Sequence, residues 1–131
     1  MIKIGNRKNG DLGEYCGRGS SLGNPFSHLA ASKAEAQVAT RGDAVVAQGE
    51  YMLELVGRGR AIHPAARQFI EMLEPEERKK RSAAMRLQLN NLFVKAKLGD
   101  LTLICYCSPA KCHTENIKEL LERVLAERGA A

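Results

Sequence analysis

Ile2 and Ile4 flank Lys3 in a short alternation of apolar and polar positions, which predicts an opening strand. Asn9-Gly10 is a turn signal. Residues 13–27, GEYCGRGSSLGNPFS, then break every period with four glycines and a proline. That stretch predicts a long ordered loop, and long loops in small domains often carry function. Ser32-Lys33-Ala34-Glu35 fits a capping box and predicts a helix over 33–39. Thr40-Arg41-Gly42-Asp43 repeats the arrangement and predicts a second helix over 41–56, closed by Gly57. Pro64 opens a short helix to Leu73, and Pro75 opens one to Leu98, closed by Gly99. At the start of the latter, Glu76 and Lys80, and Glu77 and Arg81, stand at helical spacing. Leu101 to Cys107, LTLICYC, is almost continuously apolar and suits a central strand covered on both faces. Ser108-Pro109 ends it. A last helix over 114–128 carries one apolar stripe of Ile117, Leu120, Leu121, Val124 and Leu125. The sum predicts a single compact α/β domain over residues 1–131, with a small, largely parallel sheet, flanking helices and a frayed C-terminus.

Composition narrows the function. The chain has 131 residues, 44% apolar and 27% charged, which suits one globular core and excludes disorder as the main description. No apolar run approaches the ~20 residues of a membrane span, so no membrane partner is expected. The opening MIKIGNRKNG lacks the apolar core of a secretory signal, which predicts a cytoplasmic protein. A net charge of +5 permits contact with phosphates without requiring it. Aromatic residues at 5%, with no tryptophan, argue against a base-stacking surface built on many rings.

Two segments hold candidate chemistry. In Cys105-Tyr-Cys107-Ser-Pro-Ala-Lys-Cys112-His113, two cysteines share one strand face, while Cys112 and His113 open the next helix. Three thiolates and an imidazole are a sound tetrahedral zinc set, although the spacing is tighter than in paired zinc knuckles. Zinc is the one cofactor these residues put forward. The same helix start would lower a cysteine pKa and favour an anion, with Lys111 adding a cation. Plain burial of the cysteines is the third alternative. In Gly17-Arg18-Gly19-Ser20-Ser21-Leu22-Gly23-Asn24-Pro25-Phe26, glycines allow close approach to an anion. Ser20, Ser21 and Asn24 offer hydrogen bonds, and Arg18 can grip a phosphate with two. The loop matches neither a P-loop nor a dinucleotide fingerprint. A loop held by its own side chains is the alternative. Arg78-Lys79-Lys80-Arg81 reads as a solvated helix face or a contact for nucleic-acid backbone.

Tyr15–Phe26 and Leu103–His113 together resemble the domain-of-unknown-function family 4326, found in bacteria and their phages. That family reads YIGRGSxLGNPF near its start and CWCxPxxCH near its end. Thr40-Arg-Gly-Asp-Ala-Val, with Tyr51 after it, is similar to the family's arginine-bearing helix start. The resemblance implies that Arg18, Gly19, Ser20, Gly23, Asn24 and Pro25 matter, with Cys105, Cys107, Pro109, Cys112 and His113. Cys16 stands where the family has an aliphatic residue, and Tyr106 where it has tryptophan, so Cys16 falls outside the shared set.

The reading of function follows. The loop and the CxCxPxxCH turn both follow strands and are expected to face each other across a pocket. Arg18, Gly19, Ser20, Ser21, Gly23, Asn24 and Lys111 would bind a nucleotide or another phosphate-bearing ligand there. Cys112 as nucleophile and His113 as general acid or base would supply hydrolase or transferase chemistry. The alternative is a zinc-stabilised module of phage origin that binds nucleic acid or protein, with Cys105, Cys107, Cys112 and His113 as ligands.

Overall fold

The computed structural model describes residues 1–6, 8, 10–29, 35–105 and 112–129. Strand β5, Leu101–Cys105, lies at the centre of a three-stranded sheet. On one side it pairs in parallel with β1, Ile2–Asn6, from Ile2↔Leu101 to Asn6↔Cys105. On the other it pairs in parallel with β2, Glu14–Tyr15. Leu101, Leu103, Ile104 and Cys105 are all buried, as a strand covered on both faces requires.

A second, two-stranded parallel sheet joins β3, Phe26–Ser27, to β4, Ala36–Gln37. This corrects the helix expected over 33–39. Ala36 N–H donates to the Pro25 carbonyl and Val38 N–H to the Ser27 carbonyl, each at 2.9 Å. Main-chain partners eleven residues upstream outweigh a weak local preference for helix. Residues 33 and 34, with the Ser32 of the capping motif, lie outside the described residues.

Four helices complete the described structure: α1, Arg41–Leu55; α2, Pro64–Met72; α3, Pro75–Leu98; and α4, Thr114–Gly129. The expected cap of α1 is present, with Thr40 Oγ1 accepting from Asp43 N–H at 3.0 Å. Gly57 follows it at φ +78°, the left-handed backbone that ends many helices. Proline opens α2 and α3, where a missing N–H costs nothing. In α4, Ile117, Leu120 and Leu121 are buried, and Val124 and Leu125 pack against the core. Phe26, Tyr51 and Phe69 meet edge to face, 5.4–6.0 Å between centroids, and tie β3, α1 and α2 into that core. Among the described residues, no helix is long and apolar enough to cross a membrane.

Candidate functional site

The loop from Cys16 to Phe26 is held from within and from two helices. Ser20 N–H and Oγ–H both donate to the Gly17 carbonyl, and Gly23 N–H donates to the Ser20 carbonyl. A Cβ at Gly23 would stand 2.4 Å from the Gly17 oxygen, so only glycine fits. Gly19 has open space beside it but a φ of +93°, so its requirement is conformational. Asn24 bonds at both ends of its amide: Nδ2–H donates to Ala44 O and Oδ1 accepts from Phe26 N–H, each at 2.9 Å. From α3, Gln88 Oε1 accepts from Leu22 N–H, and its Nε2–H donates to the Tyr15 carbonyl. The Arg18 guanidinium donates to the carbonyls of Asn24 and Phe26. Arg18 therefore braces its own loop with two of its five N–H donors.

All six expected loop residues, Arg18, Gly19, Ser20, Ser21, Gly23 and Asn24, line one cleft of about 330 Å³. Its other wall comes from Tyr51 on α1 and from Glu77, Lys80 and Arg81 on α3, with Glu35 at the rim. Arg81 is the hub of that wall. It forks onto the Glu35 carboxylate at 3.1 and 2.5 Å and donates to Glu77 at 2.9 Å and to the Tyr51 hydroxyl at 3.2 Å. It also lies 5.4 Å from the Phe69 ring centroid. The hydrogen bond that Arg81 donates to Glu35, with those it donates to Tyr51 and Glu77, raises its pKa against the effect of burial. Burial raises the Tyr51 pKa, with the Arg81 hydrogen bond opposing it. Sequence reasoning missed Tyr51, Glu35 and Glu77 as cleft residues. The Glu77–Arg81 spacing was visible as a helical pair, but nothing local shows that α3 stands beside the loop.

The basic run divides. Arg78 donates to the Ile70 carbonyl at 2.9 Å at the end of α2, and Arg81 is bound as above. Two of the four cations thus serve the chain's own groups.

The second candidate cluster lies at the C-terminal end of β5. Cys105 and Cys112 place their sulfurs 2.9 Å apart. His113 Nδ1 stands 3.5 Å from Cys112 Sγ, and Nε2 donates to the Cys16 carbonyl at 2.5 Å. A carbonyl only accepts, so in the neutral ring Nε2 carries the proton and Nδ1 offers its lone pair to Cys112. Burial lowers the His113 pKa, and the bond to Cys16 opposes that shift. Burial also pushes the Cys16 thiol up to about 12, helped by the charges of Glu14 and Cys105. The Cys16 contact uses its main chain, so an aliphatic residue would serve there equally well.

Among the described residues, the bond from His113 to the Cys16 carbonyl joins the root of the loop to the Cys/His cluster. The described wall of the cleft is built by α1 and α3, and Cys112 and His113 are not part of it. Cys107 and Lys111 lie outside the described residues. Among the described residues, no three His, Cys, Asp or Glu side chains are grouped to hold a metal ion.

Cys105, Cys112 and His113 thus link the end of the central strand to the root of the loop. The chain belongs to the DUF4326 family. That family, a domain of unknown function, matches residues 3–123 and so spans both motifs. No curated protein and no solved structure matches this DUF4326 member.

Proposed function

We propose that this DUF4326 protein binds a nucleotide-like or other phosphate-bearing ligand in the cleft between the GRGSSLGNPF loop and α3. The observation that supports the reading is the convergence of six loop residues with Lys80 and Arg81 on one cleft of about 330 Å³. That volume is at the lower end for small-molecule sites. Among the described residues, the Ser21 hydroxyl makes no hydrogen bond, and Arg18 keeps three N–H donors beyond its two carbonyl bonds. These groups and Lys80 suit a phosphate. Glu35 and Glu77 accept hydrogen bonds and suit the hydroxyls of a sugar. The described lining holds no thiol and no imidazole, so the reading is one of binding.

Calorimetric titration with adenosine monophosphate, inorganic phosphate and adenosine tests it. The monophosphate should bind more tightly than adenosine, with an affinity that falls as salt rises. Lys80→Glu should weaken it by about tenfold or more. Equal affinity for adenosine, or no binding of any of the three, would overturn the reading.

A further inference from the structure

We propose that Cys105 and Cys112 are an oxidation-sensitive pair, closing to a disulfide with a peroxide and reopening with a thiol reductant. The two sulfurs lie 2.9 Å apart, and less than about 1 Å of approach separates them from the ~2.05 Å of a disulfide bond. They come from different elements, one ending β5 and the other preceding α4, so the bond would join two structural parts. Both are buried, at 1% and 3% exposure, so the oxidant has to be as small as hydrogen peroxide. His113 Nδ1 lies 3.5 Å from the Cys112 sulfur, and its ring is held by the bond from Nε2 to the Cys16 carbonyl.

The steps balance. The Cys112 thiol gives up its proton, and the thiolate attacks one oxygen of hydrogen peroxide. The O–O bond breaks, a sulfenic acid forms at Cys112, and one water leaves with the proton returned. The Cys105 thiol then attacks the Cys112 sulfur. The S–O bond breaks, the S–S bond forms, and the Cys105 proton leaves with the hydroxide as a second water. Two thiols are oxidised by two electrons and one peroxide is reduced. A dithiol reductant reverses the bond by exchange. The closed pair would brace the imidazole that holds the root of the glycine loop.

The test uses the whole chain, reduced, freed of reductant and treated with graded hydrogen peroxide. It is then unfolded, alkylated and digested with trypsin, and the peptides are weighed. Cleavage after Lys111 separates the two cysteines, so only a disulfide keeps their peptides in one species, and fragmenting that species shows whether the bond runs through Cys105 or through Cys107, which shares its peptide. The expected result is that linked species, lighter by two hydrogens, with Cys16 alkylated throughout and the species lost on reduction. A linkage through Cys107 or Cys16 in its place, or full alkylation of Cys105 and Cys112 at every dose, would overturn the proposal. So would one bound metal ion per chain that protects both cysteines until a chelator removes it. In Cys105→Ser, a 1,3-diketone probe should tag a sulfenic acid at Cys112, and a folded variant without the tag would count against the mechanism.

Discussion

His113 shows what one buried side chain does to pH dependence. Its imidazole is 3% exposed and its pKa is held below the ordinary 6.5 by burial. In the unfolded chain that pKa returns to its ordinary value, so the unfolded state binds more protons as pH falls. Stability from the neutral ring is therefore complete above about pH 6.5 and is lost as pH falls through the lower folded value. We expect the urea midpoint to drop between pH 7.5 and 5.5, and His113→Asn to flatten that slope while lowering stability at pH 7.5. An unchanged slope in His113→Asn would show that the ring does not govern this window. Arg18 and Asn24 make a related point. Both were expected to bind a ligand, and both spend donors on the chain's own carbonyls. A motif residue can shape a site by bracing it and still line it.

At the scale of elements, α3 positions the cleft. Gln88 is the clamp, accepting from Leu22 N–H at 2.9 Å and donating to the Tyr15 carbonyl at 3.3 Å. Gln88→Ala removes both bonds and leaves partly buried main-chain groups without them. It should cost about 1–3 kcal/mol by chemical denaturation and weaken adenosine monophosphate binding at the same time. Loss of stability with unchanged binding would mean that the loop keeps its shape without the clamp. Much of this level was legible beforehand. LTLIC reads as a central strand because every position but one is apolar, and Thr40 with Asp43 announces the start of α1. The strand at Ala36–Gln37 was not legible: two residues show no period, and their partner, Phe26–Ser27, lies on the far side of a connection. Nor were Tyr51 and Arg81 legible as one cleft wall. Their meeting depends on how α1 and α3 cross the core, which no local pattern encodes. The contact of the two motifs was half legible. The rule that strand ends share an edge brought them together, but the hydrogen bond itself runs to a main-chain carbonyl.

The whole molecule depends on β5, since among the described residues both other strands of its sheet pair with it. Leu103, fully buried at its middle, faces the core between β1 and β2. Leu103→Ala should cost about 2–5 kcal/mol, a large part of the ~5–15 kcal/mol that stabilises a domain of this size. The denaturation midpoint should fall with its slope unchanged, and a loss below about 1 kcal/mol would argue against that central role.

The pairing of β1 with β5 also governs how the chain is made. About ninety-five residues separate the end of β1 from the start of β5. At ~5–20 residues per second on the ribosome, β1 waits about 5–20 s for the strand it must pair with. Through that interval Ile2 and Ile4 have no sheet to join, and a growing chain offers a short, unpaired edge to its surroundings. Helices α1 to α3, built from contacts close in sequence, can form during the wait. The sheet closes only after them, and it closes around the strand that delivers Cys105.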